Sequence, residues 1–147
     1  MNRRPWLFAL AALVALPLLA SVPPGIAKPG KPAKPLHVSR GAKVKLADYL
    51  VGGKTVIFDF YSDFCGPCVQ MSPLLEQLHA ARADVIVVKV DINRPGVKGI
   101  DWKSPVAQQY TLNSIPHFKV YGPDGKLKAE DNTPAAAARQ YVEALMN

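Results

Sequence analysis

A chain of 147 residues, 49% of them hydrophobic, can bury one compact core but is too short for two domains of ordinary size. Its net charge of +7 is uneven: of the eighteen basic residues, two precede residue 28 and six lie at 28–45, leaving ten beside all eleven acidic residues. Because residues 46–147 are close to neutral, the pattern disfavours a nucleic-acid-binding domain, which would need a basic face.

The N-terminus has the pattern of a secretory signal peptide. Arg3 and Arg4 precede a long apolar run, and the small residues that follow end at Ala27. We therefore predict a signal peptide at residues 1–27. The alternative is an uncleaved membrane anchor over residues 6–22, which would attach the protein to a membrane. In both cases the rest of the chain lies outside the cytoplasm, for example in a periplasm.

Residues 28–45 alternate prolines with lysines and carry no acidic residue. This composition is typical of an extended, polyproline-like segment. The sequence therefore predicts a tether at 28–45 and a folded domain at 46–147.

A buried strand is predicted from Thr55 to Tyr61, because this run is apolar, β-branched and aromatic. Asp59 is the charged exception within it. Apolar residues then recur at helical spacing from Cys68 to Ala83, with Pro73 inside the pattern. We predict an amphipathic helix there, kinked at the proline and with His79 on its surface.

The remaining elements follow from similar patterns. They are a strand at 85–90, a short helix at 105–110 capped by Ser104, two strands around the Gly122–Gly125 turn, and a last helix opened by Thr133 and Pro134. Strand, helix and strand in succession imply a right-handed parallel crossover. The order predicts an α/β fold with a mixed sheet.

The two cysteines of the chain, Cys65 and Cys68, lie where the first strand passes into the first helix. A helix N-terminus offers unpaired N–H groups and a positive dipole end, which stabilise a thiolate. Cys65 is then the attacking sulfur and Cys68 the second one. A zinc site is the alternative, but a closed site needs four ligands and the histidines are scattered, so no metal is expected. A purely structural disulfide would close too short a loop to stabilise much.

The run Asp59–Cys68 resembles the active-site segment of the thioredoxin family. The similarity continues at Pro73, at Lys89-Val90-Asp91, at Ser114-Ile115-Pro116 and at the Gly122–Gly125 turn, and spans about residues 46–146. It implies a thioredoxin-like three-layer fold, with a central mixed sheet flanked by helices. It also implies a protein-disulfide oxidoreductase that needs no cofactor.

The resemblance assigns further roles. Asp59 matches the family's buried carboxylate, which would take the proton from Cys68 as that thiol attacks. Lys89 matches the lysine near this carboxylate, and Pro116 matches the cis-proline that faces the cysteines. The backbone at Ile115 is expected to pair with an extended substrate segment.

The substrate groove implied by the resemblance is lined by Tyr61, Phe64, Gly66, Pro67, Ile115, Pro116 and His117. Tyr61 and Phe64 stand where the family usually has Trp, and both keep an apolar rim. His117 stands where the family usually has Thr. It would place a titratable ring beside the proline and could tune Cys65. Alternatively, it is a partly exposed strand residue.

The resulting hypothesis is an exported thiol-disulfide oxidoreductase that reduces protein disulfides. The Gly-Pro pair between the cysteines is the one found in reducing thioredoxins, and outside the cytoplasm reduction requires a membrane electron donor. An oxidase or isomerase would differ in potential rather than in residues. A third possibility is a binding or assembly factor in which the cysteines are dispensable.

Overall fold

The computed structural model describes residues 30–131 and 137–147. The predicted signal peptide or anchor lies outside this part of the chain, as do Thr133 and Pro134 at the predicted start of the last helix. Within the described ranges, no helix is both long enough and apolar enough to cross a membrane.

A five-stranded sheet forms the centre of the molecule, in the order β1-β3-β2-β4-β5. β1 and β2 run parallel to β3, whereas β4 is antiparallel to both β2 and β5. The mixed sheet and the α/β fold class are thus confirmed. The strands are β1 (Leu36–Val38), β2 (Thr55–Tyr61), β3 (Val85–Asp91), β4 (His117–Tyr121) and β5 (Leu127–Glu130); the helices are α1 (Gly66–Ala81), α2 (Pro105–Gln109) and α3 (Ala137–Met146), and a 3-10 turn spans Leu46–Tyr49.

Both faces of the sheet are covered, because successive side chains of a strand point to opposite sides. On one face, Ile57 of β2 packs with Leu75 of α1 and Val142 of α3; we call this the α1 face. On the other, Phe58 and its neighbours pack around α2. This arrangement makes three layers and places Asp59 on β2, the central strand of the sheet.

The predicted tether at 28–45 is corrected at its C-terminal part. Residues 36–38 form the edge strand β1, in which Leu36 is paired with Val88 and Val38 with Val90. The proline and lysine composition conceals this strand, because its three residues are stabilised by pairing with a distant strand rather than by local propensity.

His79 is also placed differently from the helix surface that its position predicted. It is 1% exposed. Its Nδ1 accepts the N–H of Val87 at 3.0 Å, so Nε2 carries the hydrogen and donates to the carbonyl of Pro32 at 2.8 Å. Lys31 donates to the carbonyls of His79 and Arg82 at the end of α1. The segment before β1 is therefore packed against the domain.

Deleting this segment is expected to destabilise the domain. A chain of residues 39–147, compared with residues 30–147, loses the β1 pairing and leaves the buried His79 without its carbonyl partner. At about 1 kcal/mol per net hydrogen bond, and more for an unsatisfied buried group, we expect a loss of about 2–4 kcal/mol. Guanidinium unfolding of both chains measures it. Coinciding midpoints would show instead that the segment is a passive tether.

The segment at 98–103 folds back onto the domain. Trp102 is half-buried and packs against the core on the α2 side of the sheet. Asp101 accepts a 2.7 Å bond from the guanidinium of Arg94. Ser104 then caps α2 as predicted, since its Oγ accepts the N–H of Ala107 at 3.2 Å.

Candidate active site

The two cysteines lie at the junction between β2 and α1, as the sequence predicted. The helix begins at Gly66, two residues earlier than predicted, because Cys65 itself is the N-cap and Pro67 fits the first turn. Cys65 and Cys68 form a disulfide with their Cα atoms 5.2 Å apart. Both are buried, whereas Gly66 and Pro67 between them are exposed.

The helix start provides the electrostatics for thiol chemistry. The N–H of Cys68 donates to Sγ of Cys65 at 3.2 Å. In the reduced protein the same donor and the helix dipole would stabilise a thiolate on Cys65. Cys65 is thus suited to attack and Cys68, one turn away, to resolve.

A distant loop completes the surroundings of the disulfide. The bond between Ile115 and Pro116 is cis. The carbonyl oxygen of Ile115 lies 3.7 Å from Sγ of Cys65, although 50 residues separate them in the chain. Ile115 is half-buried and packs with Tyr61 and both cysteines. The cis bond that the resemblance implied at Pro116 is therefore present, and the carbonyl that precedes it lies beside Cys65.

Asp59 lies beneath the site on the α1 face of β2 and is 0% exposed. Neither carboxylate oxygen has a hydrogen-bond partner among the described residues. Burial raises the pKa of Asp59 from 3.8 to about 7, and the positive charge of Lys89 opposes this only in part. A carboxyl with this pKa can take up and release a proton near neutral pH. Proton transfer from Cys68 to Asp59 stays a prediction.

Lys89 lies beside Asp59, since the two residues are register partners in β3 and β2. Its Nζ donates to Oγ of Ser72 on α1 and lies 4.5 Å from the ring centroid of Tyr61. Lys89 is buried as well. The structure thus brings together the carboxylate and the lysine that the resemblance paired.

The two aromatic residues predicted to line the substrate groove, Tyr61 and Phe64, differ in their exposure. Phe64 is 52% exposed and, together with Arg40 and Lys98, lines a groove of about 330 Å³. Tyr61 is 8% exposed and covers the interior rather than forming an open wall. Phe64 is therefore the aromatic side chain available to a substrate.

His117 is not on the groove surface, contrary to the prediction. It is 1% exposed and pairs with Phe60, whose ring is 5.7 Å away, so it faces the α2 side of the sheet. Its Nε2 lies 3.6 Å from Oε1 of Glu130. Burial lowers the pKa of His117, which keeps the ring neutral. A direct substrate contact is excluded by this burial.

Two residues near the site were not singled out from the sequence. Oγ of Ser72 accepts a hydrogen bond from the ammonium of Lys89, and Nδ1 of His37 lies 3.0 Å from the hydroxyl of Tyr61. No local pattern indicates either contact, because each depends on packing between distant elements. In the described ranges, no cluster of three or more His, Cys, Asp or Glu side chains could hold a metal ion.

Comparison with known proteins agrees with this geometry. Residues 42–146 match the family model described as Thioredoxin. The chain is 32% identical over 85 residues to a thioredoxin of Mycoplasmoides gallisepticum, covering 58% of this chain and 76% of the relative. It is 38% identical over 80 residues to a thioredoxin of Chlamydia trachomatis, covering 54% and 69%.

Among solved structures, thioredoxin f from spinach chloroplast in its short form is similar, with a TM-score of 0.51 and 27% identity over 77% of this chain and 91% of that one. The chain therefore belongs to the thioredoxin family and is a protein-disulfide oxidoreductase.

Proposed function

We propose that the protein is exported and reduces protein disulfides outside the cytoplasm. The reductive direction is supported by the Cys65-Gly66-Pro67-Cys68 motif at the start of α1, which lies above the buried carboxyl of Asp59. Export is supported by the charged and then apolar N-terminal sequence. Both parts can be tested independently.

The reduction balances with the groups at the site. The Cys65 thiolate attacks one substrate sulfur, forming a mixed disulfide and releasing the other sulfur as a thiolate. Cys68 then gives its proton to Asp59 and attacks Sγ of Cys65, which releases the second substrate thiolate. The substrate gains two electrons and leaves as two thiolates, which take up protons from water, while Asp59 returns its proton to water. The protein ends with the Cys65–Cys68 disulfide.

The substrate is expected to be an extended segment lying over the Ile115 carbonyl and against Phe64. Ile115 lies close to Cys65, and Phe64 is the exposed aromatic residue beside it. Backbone pairing at Ile115 would give affinity with little demand on the substrate sequence. A return of the protein to its dithiol form requires a two-electron donor, which for an exported protein we place in the membrane.

The reduction potential of the cysteine pair tests the direction. The protein is equilibrated with glutathione buffers, and its thiols are trapped and counted. A value near about −270 mV supports a reductase. A value of about −180 to −120 mV would contradict it and favour an oxidase or isomerase.

Cell fractionation tests the export. The full chain is expected outside the cytoplasm, and a chain lacking residues 1–27 inside it. Retention of the full chain in the cytoplasm with its N-terminus intact would overturn the proposed location.

A further inference from the structure

Tyr61 reaches across β3 and contacts β1. Its backbone is paired with Asp91, but its hydroxyl meets Nδ1 of His37 at 3.0 Å. The two rings meet edge to face with centroids 5.9 Å apart. Underneath, Nζ of Lys89 lies 4.5 Å from the tyrosine ring centroid. One aromatic side chain therefore connects three strands.

The register explains why these groups meet. His37 is paired with Lys89, and Lys89 is paired with Asp59, so the three side chains lie in one row on the α1 face. Tyr61 is two residues after Asp59 and therefore shares that face. Its ring also packs with the disulfide cysteines. Tyr61 therefore lies over the buried Lys89 and beside Asp59 along the same face of the sheet.

We propose that His37 is a positioning residue of the active site: it holds Tyr61 over Lys89 and Asp59, and so keeps water away from the buried carboxyl. A phenol both donates and accepts, so the bond to His37 persists whether the imidazole is neutral or protonated. The hydrogen bond between His37 and Tyr61 therefore holds the tyrosine ring in place both above and below neutral pH. The inference concerns the burial of Asp59 and does not depend on the direction of electron flow.

Charged and polar groups face Tyr61 and Asp59 from several neighbouring elements. Burial, followed by the charges of Asp91, Asp63 and Asp59, raises the pKa of Tyr61, so its hydroxyl stays protonated near neutral pH. Facing the row are Lys89 and Asp91 on β3, Asp63 after β2, His37 on β1, the disulfide cysteines and Ser72 on α1, and the apolar Phe118, which is paired with Asp59 from β4.

Asp59 can be titrated directly in the oxidised protein, where the cysteines do not ionise. The carboxyl is followed by carbon-13 NMR of labelled aspartate, and its signal is assigned by its loss in Asp59→Asn. In His37→Ala the tyrosine loses its partner and water reaches the carboxyl, which favours the charged form. We expect proton binding by Asp59 to weaken about five- to tenfold.

Three further variants distinguish positioning from a general loss of strand β1. Tyr61→Phe removes the same bond from the other side and should weaken proton binding in the same direction. His37→Asn, whose side chain can still reach the phenol, should restore most of it. Leu36→Ala truncates the neighbouring β1 residue, whose side chain forms no hydrogen bond with Tyr61. Asp59 in this variant should titrate as in the wild type.

Two results would overturn the inference. The first is an unchanged Asp59 titration in both His37→Ala and Tyr61→Phe. The second is an equal shift in His37→Ala, His37→Asn and Leu36→Ala, because this would mean that the strand as a whole, and not the hydrogen bond, excludes water.

Discussion

Replacing Cys65 by serine is expected to abolish disulfide reduction, whereas replacing Cys68 leaves a protein that captures its substrate and fails to release it. Sγ of Cys65 accepts a hydrogen bond from the N–H of Cys68 at the start of α1. A serine at position 65 would not ionise near neutral pH. We expect a loss of about a thousandfold or more for Cys65→Ser. In Cys68→Ser the first exchange proceeds and the second has no attacking thiol.

The rates are measured by mixing the reduced protein with a disulfide peptide whose cleavage changes its fluorescence, and the trapped species is identified by mass spectrometry. Lys126→Ala, an exposed change in the turn before β5, serves as the control and should keep full activity. Substantial reduction by Cys65→Ser would contradict the assignment. Full cellular function of the double serine variant would instead support a binding or assembly factor.

Replacing Asp59 by asparagine is expected to stabilise the oxidised protein at neutral and alkaline pH. In the native state the carboxyl holds its proton up to about pH 7, whereas its ordinary pKa is 3.8. Between these values the native state binds more protons than the unfolded state, so stability falls as pH rises from about 4 to 7. At about 1.4 kcal/mol per tenfold in proton binding, the loss reaches about 4 kcal/mol.

The amide introduced by Asp59→Asn carries no such charge, so the difference in free energy of unfolding between this variant and the wild type should grow from pH 4 to pH 8. Denaturant unfolding at several pH values measures it. Asp48→Asn, which changes an exposed acid in the 3-10 turn, should leave the pH dependence unaltered. Parallel stability curves for Asp59→Asn and the wild type would mean that Asp59 is not buried as a neutral acid.

The order of elements and the cysteine pair could be predicted because their signals are local. The apolar run that contains Asp59 predicts a buried strand, and strand and helix periods differ enough to locate the junction at Cys65. Even there, the periodicity predicts a helix from Cys68 rather than from Gly66, because capping by a cysteine side chain leaves no mark in the hydrophobic pattern.

The errors concern contacts between distant segments. The Pro- and Lys-rich composition around β1 is typical of a tether, and only pairing with β3 makes Leu36–Val38 a strand. His79 has the spacing of a surface helix residue, yet the segment at Pro32 covers it. His117 is buried because its strand lies between β2 and β5 and its ring faces the α2 side of the sheet.

The sequence by itself determined the α/β class, the strand-to-helix junction that carries Cys65 and Cys68, and the presence of one acid in a buried strand. These depend on side-chain periodicity and on residues close together in the chain. Only the tertiary structure decided the environment of that acid. Strand register sets Lys89 beside Asp59, and the pairing of β1 brings His37 to Tyr61, because such contacts depend on which distant backbones form hydrogen bonds with each other.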